Sequence, residues 1–189
     1  MREVDVIGVR VEMPSQQPIV LLREVEGERY LPIWIGAVEA TAIAFAQQGV
    51  VPPRPLTHDL LKDVVEATGN ALTEVKITDV KDGVFYATLV FASGVEVGAR
   101  PSDSIALALR TGSKISCAEE VLAEAGLTVP ELAAAVNVAV PTYYAWEQGR
   151  WTRLPAARQL ESLARGLGDT VDVVAAAFQE ARQQRLRRG

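Results

Sequence analysis

The sequence predicts an α+β fold in which a mixed sheet with packed helices is followed by a small all-α unit. Two observations carry this prediction. Up to residue 118, segments with strand-like alternation are interleaved with segments of helical spacing; from residue 119 onward the strand signals stop and alanine and leucine dominate. The length of 189 residues suits one medium domain with an appendage. We therefore predict an α+β domain at 1–118 and a helix-turn-helix-like helical domain at 119–189.

Three strands are predicted near the N-terminus. Apolar and polar residues alternate over 4–11, and the continuous apolar run over 19–22 is typical of a buried strand. Residues 30–35 form a third candidate, which follows the turn-like segment Glu26-Gly27-Glu28. Two of these strands are expected to be joined as a hairpin.

Helices and strands then alternate up to residue 112. Helical spacing covers residues 39–47, 57–68 and 102–110, and the segments end near Gly49, Gly69 and Gly112. Two alternating segments over 72–78 and 84–91 flank Lys81-Asp82-Gly83, which is a hairpin signal. A short strand is expected over 95–99.

The second part of the chain has only helical signals. Thr128 and Glu131 form a capping box with proline near the helix start, and further glycines separate the later helices. No proline-rich or serine-rich linker precedes this part. We therefore expect the two parts to pack together or to share the helix Glu119–Ala125.

Composition and charge argue against several classes of protein. A net charge of −5 argues against a whole surface built to hold nucleic acid, and the single cysteine, Cys117, excludes an intramolecular disulfide and a cysteine-based zinc site. No apolar run approaches the roughly 20 residues that a bilayer span needs. The first residues include acids where a signal peptide would be basic and apolar, so we expect a cytoplasmic protein without a membrane partner.

One local pattern occurs twice. Arg54 and Arg100 each precede a proline, and a hydroxyl residue able to cap a helix, Thr57 or Ser102, follows closely. The unpaired N–H groups of a helix start together with an arginine make an anion site, so two such sites side by side could hold a phosphodiester.

An acid stands in the first turn of each of the three helices. Glu39, Asp59 and Asp103 could converge and offer oxygen ligands to Mg²⁺ or Mn²⁺ for metal-assisted phosphodiester hydrolysis. The alternative is that Arg54 and Arg100 form ion pairs with these same acids and simply close the domain. The spacing does not decide between the two.

His58 is the only histidine of the chain. An ordinary imidazole pKa of about 6.5 suits general acid or base catalysis near neutral pH. The alternative is a capping or surface group, since a histidine in a first helical turn often has only that role. No P-loop, GxGxxG, HExxH or GxSxG motif is present, which leaves nucleotide-fold, zincin and serine-hydrolase functions without support.

Five ordered motifs over about residues 1–125 resemble the bacterial bifunctional nuclease family. They are found at residues 31–36, 39–40, 54–60, 82–87 and 99–108. The resemblance implies an α+β fold, self-association as a homodimer or other homo-oligomer, and degradation of both RNA and DNA. It also implies a set of polar site positions: Glu39, Arg54, His58, Asp59, Arg100 and Asp103.

Residues 117–178 resemble a Cro/C1-type helix-turn-helix. The matching motifs lie at 125–133, 142–149 and 160–168, and the family's base-facing positions correspond to Val129, Val140, Pro141, Thr142 and Ala145. Only Thr142 among these has a hydrogen-bonding side chain, whereas direct readout of most bases needs donors and acceptors. Tyr144, Arg150 and Arg153 could still contact phosphates, which position a duplex without specifying its sequence.

Two functions follow from these patterns. The first is a metal-dependent nuclease in which Glu39, Asp59 and Asp103 hold Mg²⁺ or Mn²⁺, while His58, Arg54 and Arg100 are catalytic and the tail binds DNA or RNA. The second is a non-enzymatic protein, either a dimeric DNA-binding regulator or a protein-interaction scaffold that uses the helix-turn-helix tail.

Overall fold

A single mixed sheet organises the part of the chain that the structure describes. The structure, a computed structural model, describes residues 1–11, 16–135, 140–141 and 144. Within these residues the strands are β1 (Arg2–Val11), β2 (Pro18–Glu24), β3 (Tyr30–Trp34), β4 (Leu72–Lys81), β5 (Val84–Phe91), β6 (Glu96–Ala99) and β7 (Lys114–Cys117). The helices are α1 (Ala37–Gln48), α2 (Thr57–Ala67), α3 (Pro101–Thr111), α4 (Glu119–Ala125) and α5 (Val129–Ala135).

The strand order is β3-β2-β1-β7-β4-β5-β6. Antiparallel pairing joins β1 to β2 and β2 to β3 on one side, and β4, β5 and β6 on the other. Strand β7 connects the two halves because it pairs antiparallel with β1 and parallel with β4. The predicted α+β fold with a mixed sheet and packed helices is therefore confirmed.

The predicted strands and helices up to residue 112 are all present, and the hairpin signal has the expected geometry. Asp82 and Gly83 have φ values of 50° and 76°, the left-handed pair that a tight two-residue hairpin needs. Strand β7 was not predicted. Its four residues form a strand between β1 and β4, which both offer it backbone hydrogen bonds from distant parts of the chain.

Strand β2 is buried on both faces. Val20 and Leu22 join the main core, which α1, α3 and α4 cover. Ile19 and Leu21 point to the opposite face, where they pack with Tyr30 against Leu132. The continuous apolar run in the sequence therefore reflects two cores, one on each side of the same strand.

Helix α5 supplies the cover of the second face. Thr128 begins it as predicted, because Oε2 of Glu131 accepts hydrogen bonds from the backbone N–H (2.8 Å) and the hydroxyl (2.6 Å) of Thr128. Leu132 and Ala133 are both buried in the cluster beside β2 and β3. Both residues lie in the motif at 125–133 that resembles a helix-turn-helix, and here they pack on the sheet.

Helix α4 has the bounds that the sequence predicts and packs into the main core through Val121 and Leu122. Its first residue, Glu119, is bound by Nη1 of Arg29 (2.8 Å) and Nε of Arg2 (2.9 Å), and hydrogen bonds from these two arginines lower the pKa of Glu119 to about 2. The predicted boundary after residue 118 thus precedes a helix that shares the core of the first domain.

The remaining helix-turn-helix predictions lie mostly outside the described residues. Thr142, Arg150 and Arg153 are outside them, while Tyr144 is described and exposed. Among the described residues, no helix is both long enough and apolar enough to cross a bilayer.

Candidate functional site

Three helix starts meet at one place. Glu39 lies in the first turn of α1, His58 in the first turn of α2 and Asp103 in the first turn of α3, while Arg100 is the residue that caps the start of α3. These side chains come from segments up to 64 positions apart in the chain, so only packing brings them together. Of the three acids expected to converge, Glu39 and Asp103 are in this group and Asp59 is not.

A continuous series of hydrogen bonds links the four side chains. Nη2 of Arg100 donates to Oε1 of Glu39 at 2.8 Å, and Nε of Arg100 donates to Oδ2 of Asp103 at 2.8 Å. The other oxygen of Asp103, Oδ1, lies 3.0 Å from Nε2 of His58. We call Glu39, Arg100, Asp103 and His58 the site cluster.

Accessibility differs sharply along the site cluster. The Arg100 side chain is 67% exposed, whereas that of His58 is 11% exposed and Glu39 is nearly buried. Arg100 uses Nε and one Nη2 hydrogen in the bonds described, so its Nη1 group remains for an approaching anion. The guanidinium is therefore the most accessible charge of the cluster, and the imidazole is the least exposed side chain in it.

Electrostatics favour an ionised Asp103. Burial raises the pKa of its carboxyl, but hydrogen bonds from Arg100 and His58 outweigh burial, so the pKa lies below its usual value. The carboxylate of Asp103 is then an acceptor, and in the neutral imidazole Nε2 of His58 carries the donated proton. Nδ1 of His58 consequently holds the lone pair. Hydrogen bonds to Asp103 and Glu39 also raise the pKa of Arg100, so its positive charge is permanent.

Asp59 stands apart from the site cluster. Its Oδ1 accepts a hydrogen bond from Nε of Arg110, and its Oδ2 accepts one from the backbone N–H of Leu56 at 2.8 Å. Arg110 was not predicted as a site residue. It lies in the last turn of α3, seven positions beyond Asp103, and no sequence pattern links it to Asp59.

Arg54 lies in the segment before α2 and is exposed. Among the described residues it has no hydrogen bond or ion pair, unlike Arg100 and Arg110. The alternative that both Arg-Pro arginines form ion pairs with the neighbouring acids therefore holds for Arg100 and does not hold for Arg54 within this part of the chain.

The three predicted metal ligands are all bound by arginine side chains. Glu39 and Asp103 both bind Arg100, and Asp59 binds Arg110. In the described ranges no group of three or more His, Cys, Asp or Glu side chains has a metal-binding arrangement. Their oxygen atoms suit Mg²⁺ or Mn²⁺ chemically, but in this arrangement a guanidinium takes the place that a cation would need. As arranged, the residues do not fit a divalent ion.

Comparison with known proteins identifies the same region. A family model described as Bifunctional nuclease domain matches residues 20–130, which include every residue of the site cluster together with Arg54, Asp59 and Arg110. The match also continues beyond residue 118 to the start of α5.

Relatives occur in bacteria and plants. An uncharacterized protein of Mycobacterium tuberculosis is 59% identical over 131 residues, which are 69% of this chain and 80% of that protein. The Bifunctional nuclease of Oryza minuta is 25% identical over 142 residues, or 72% of this chain and 41% of the plant protein. Bifunctional nuclease 1 of Oryza sativa subsp. indica is 26% identical over 117 residues, or 59% of this chain and 35% of that protein. The chain thus spans less than half of either plant relative.

Proposed function

This chain belongs to the bifunctional nuclease domain family, and from that membership and the site cluster we propose that it hydrolyses phosphodiester bonds of DNA or RNA. The observation that carries the proposal is the hydrogen-bonded series from Glu39 through Arg100 and Asp103 to His58. It places a permanent positive charge and a proton acceptor side by side at three helix starts.

His58 is the proposed general base. Asp103 holds Nε2 of the ring, which leaves Nδ1 to take a proton from an attacking water molecule or from a ribose hydroxyl. As the new P–O bond forms, the P–O bond to the leaving sugar oxygen breaks, and that oxygen takes a proton from solvent water. The imidazolium that forms is stabilised by the ionised Asp103, which also keeps the ring in one orientation. Asp103 is therefore needed for the orientation of the base as well as for its charge.

Arg100 and Arg54 are the proposed phosphate contacts. A phosphodiester gains negative charge on its non-bridging oxygens as the nucleophile attacks, and a guanidinium in place beforehand stabilises that charge. Arg100 is held by Glu39 and Asp103 with Nη1 left for the phosphate. Arg54 is exposed and has no partner among the described residues, so a contact with phosphate would break no ion pair there.

Dependence on Mg²⁺ or Mn²⁺ stays a prediction from the sequence, separate from this mechanism. The acids that would hold the ion are Glu39, Asp59 and Asp103, and at present each is bound by an arginine. When bound, such an ion would neutralise phosphate charge. No step proposed for His58 or Arg100 requires it.

The test is cleavage of supercoiled plasmid and of single-stranded RNA by the purified full chain. His58→Asn and Asp103→Asn should each reduce the rate by about 100-fold or more, as expected when a general base or its orienting partner is lost. Lys62→Ala is the matched control, because Lys62 lies on the same helix as His58 and, within the described part of the chain, pairs with Glu66 alone. Its rate should equal that of the unsubstituted chain.

Two further outcomes decide the proposal. Cleavage that survives both substitutions contradicts the proposed site. Binding of labelled RNA or DNA without any cleavage contradicts hydrolysis and favours the non-enzymatic binding function. Parallel reactions with Mg²⁺, Mn²⁺ or EDTA test the metal prediction, which fails if the rate in EDTA is unchanged.

A further inference from the structure

A buried arginine joins the three helices that carry the site cluster. The Arg110 side chain is 7% exposed, and Nη1 donates to the backbone oxygens of Ala42 in α1 (3.0 Å) and Ala106 in α3 (2.8 Å). Its Nε donates to Oδ1 of Asp59 in α2. One guanidinium thus binds all three helices, through partners that are not members of the site cluster.

Asp59 links Arg110 to the start of α2. One carboxylate oxygen of Asp59 binds Arg110, and the other accepts a hydrogen bond from the backbone N–H of Leu56. Asp59 therefore fixes the first turn of α2, which also contains His58, the residue just before it. The helix itself has no buried side chain. Two polar contacts connect its first turn to α3, one between His58 and Asp103 and one between Asp59 and Arg110.

We propose that Arg110 is a positioning residue that acts through Asp59 to hold the first turn of α2, and with it the His58 imidazole, against Asp103. This inference rests on the proposed function, because His58 is the base in that mechanism. It assigns Asp59 to the scaffold of the site. The orientation of a base matters strongly, since a displacement of about 1 Å can reduce a catalysed rate by roughly 100-fold.

His58 provides a probe that does not depend on activity. It is the only histidine in the sequence, so a tag-free, ¹⁵N-labelled chain has a single set of imidazole NMR signals. In the unsubstituted chain we expect a protonated Nε2 with a downfield proton, because that proton is donated to Asp103. Arg110→Met should shift both ring nitrogens and broaden or remove the Nε2 proton signal.

Conservative variants separate the contact from a general loss of stability. Arg110→Lys keeps the charge but cannot reach three acceptors, so it should give a smaller change than Arg110→Met. Asp59→Asn keeps an oxygen for Leu56 but loses the charge, and it should move the His58 signals in the same direction as Arg110→Met. Val75→Ala, which opens space in the core on β4, is the control for destabilisation alone.

Kinetics provide the second readout. In folded Arg110→Met we expect kcat to fall by about tenfold or more while KM changes by less than about threefold, because the phosphate contacts at Arg54 and Arg100 remain in place. Equal losses in Arg110→Met and in a core variant of the same thermal stability would overturn the positioning role. His58 signals that move no further in Arg110→Met than in Val75→Ala would overturn it as well.

The two readouts keep this inference separate from the proposed function. If the unsubstituted chain cleaves no nucleic acid, the proposed function fails, and the NMR comparison still decides whether Arg110 positions His58. If Arg110→Met does not fold, Asp59→Asn and Arg110→Lys carry the same comparison.

Discussion

Asp103 is hydrogen-bonded to both Arg100 and His58 in the site cluster. One of its oxygens binds the permanent cation Arg100, and the other binds His58. A single carboxylate therefore fixes the position of the phosphate-contacting group and the orientation of the proposed base. Loss of its charge should weaken both the site and the attachment of α2.

The stability contributed by Asp103 should depend on pH. Its pKa in the folded chain is lowered, so its contribution is present above the unfolded pKa of about 3.9 and is lost as the pH falls through the folded value. We expect Asp103→Asn to unfold at lower urea than the unsubstituted chain at pH 7, with a difference that shrinks steadily below about pH 4. Urea titrations at pH 7, 5 and 3 measure it.

Asp63→Asn is the control for this titration, because Asp63 is an exposed acid of α2 with no bond to the described residues. Its urea midpoint should follow that of the unsubstituted chain at every pH. A stability difference for Asp103→Asn that is the same at pH 3 and pH 7 would contradict the electrostatic explanation.

Arg54 should affect substrate binding and leave folding unchanged. It is exposed and unpartnered within the described part of the chain, so Arg54→Ala removes no intramolecular contact there. We expect KM for RNA to rise about three- to tenfold, a weaker dependence of binding on salt, and a thermal midpoint within about 1 °C of the unsubstituted chain. Steady-state kinetics at several salt concentrations measure the first two effects.

The contrast with Lys62→Ala separates a local contact from general charge. Lys62 is a cation within α2, eight positions after Arg54, and it pairs with Glu66 one turn further along the helix. If both variants raise KM equally, Arg54 contributes only to the overall field and has no specific place in the site.

Helix α2 is the least buried element among those that carry the site. Its apolar residues lie on one face of the helix, yet none of its side chains is buried. Leu60, Leu61 and Val64 are 41–54% exposed. A row of neighbouring apolar side chains that are exposed on one helix is a candidate contact surface. We propose that a second copy of the chain covers this row, which agrees with the self-association that the family resemblance implies.

A double substitution tests this surface. Leu60→Glu with Val64→Glu should reduce the mass measured by light scattering to that of one chain, because burial of two carboxylates in an apolar interface is costly. Thermal stability of the single chain should change little, since both side chains are exposed. An unchanged mass would show that the row is not the contact between copies, and a monomeric unsubstituted chain would contradict self-association itself.

At the scale of the whole molecule, α5 packs on the sheet. It covers the face of β2 and β3 opposite the main core, where Leu132 contacts the cluster of Ile19, Leu21 and Tyr30. The start of the predicted helix-turn-helix tail is thus part of the α+β domain. A backbone bridge between Tyr30 and Leu127 reinforces this connection, with N–H to O distances of 2.8 and 2.7 Å.

Leu132→Ala should therefore destabilise the sheet. Leu132 is fully buried, and removal of such a side chain typically costs about 2–5 kcal/mol. Hydrogen exchange should become faster for the amides of residues 19–22 in β2. Ala134→Gly is a matched change on the exposed side of α5 and should affect those amides much less. Protection of β2 that is equal in the unsubstituted chain and in Leu132→Ala would contradict the docking of α5.

The sequence by itself determined most of the secondary structure and the candidate site residues, because the patterns that predict them are local. Alternation, helical spacing and glycine positions predicted six of the seven strands and four helices up to Ala125, and helix-start chemistry selected Glu39, Arg54, His58, Asp59, Arg100 and Asp103 as candidates. The capping box at Thr128 also predicted the start of α5. These features depend on neighbours within a few positions of the chain.

Only the tertiary structure decided which partners these residues have. It paired Arg100 with Glu39 and Asp103, left Arg54 without a partner among the described residues, and paired Asp59 with Arg110, which no pattern had selected. It also placed β7 between β1 and β4, and Leu132 on the sheet. The physical reason is that ion pairs, sheet pairing and burial join residues that are distant in the chain, and each depends on packing that local spacing does not encode.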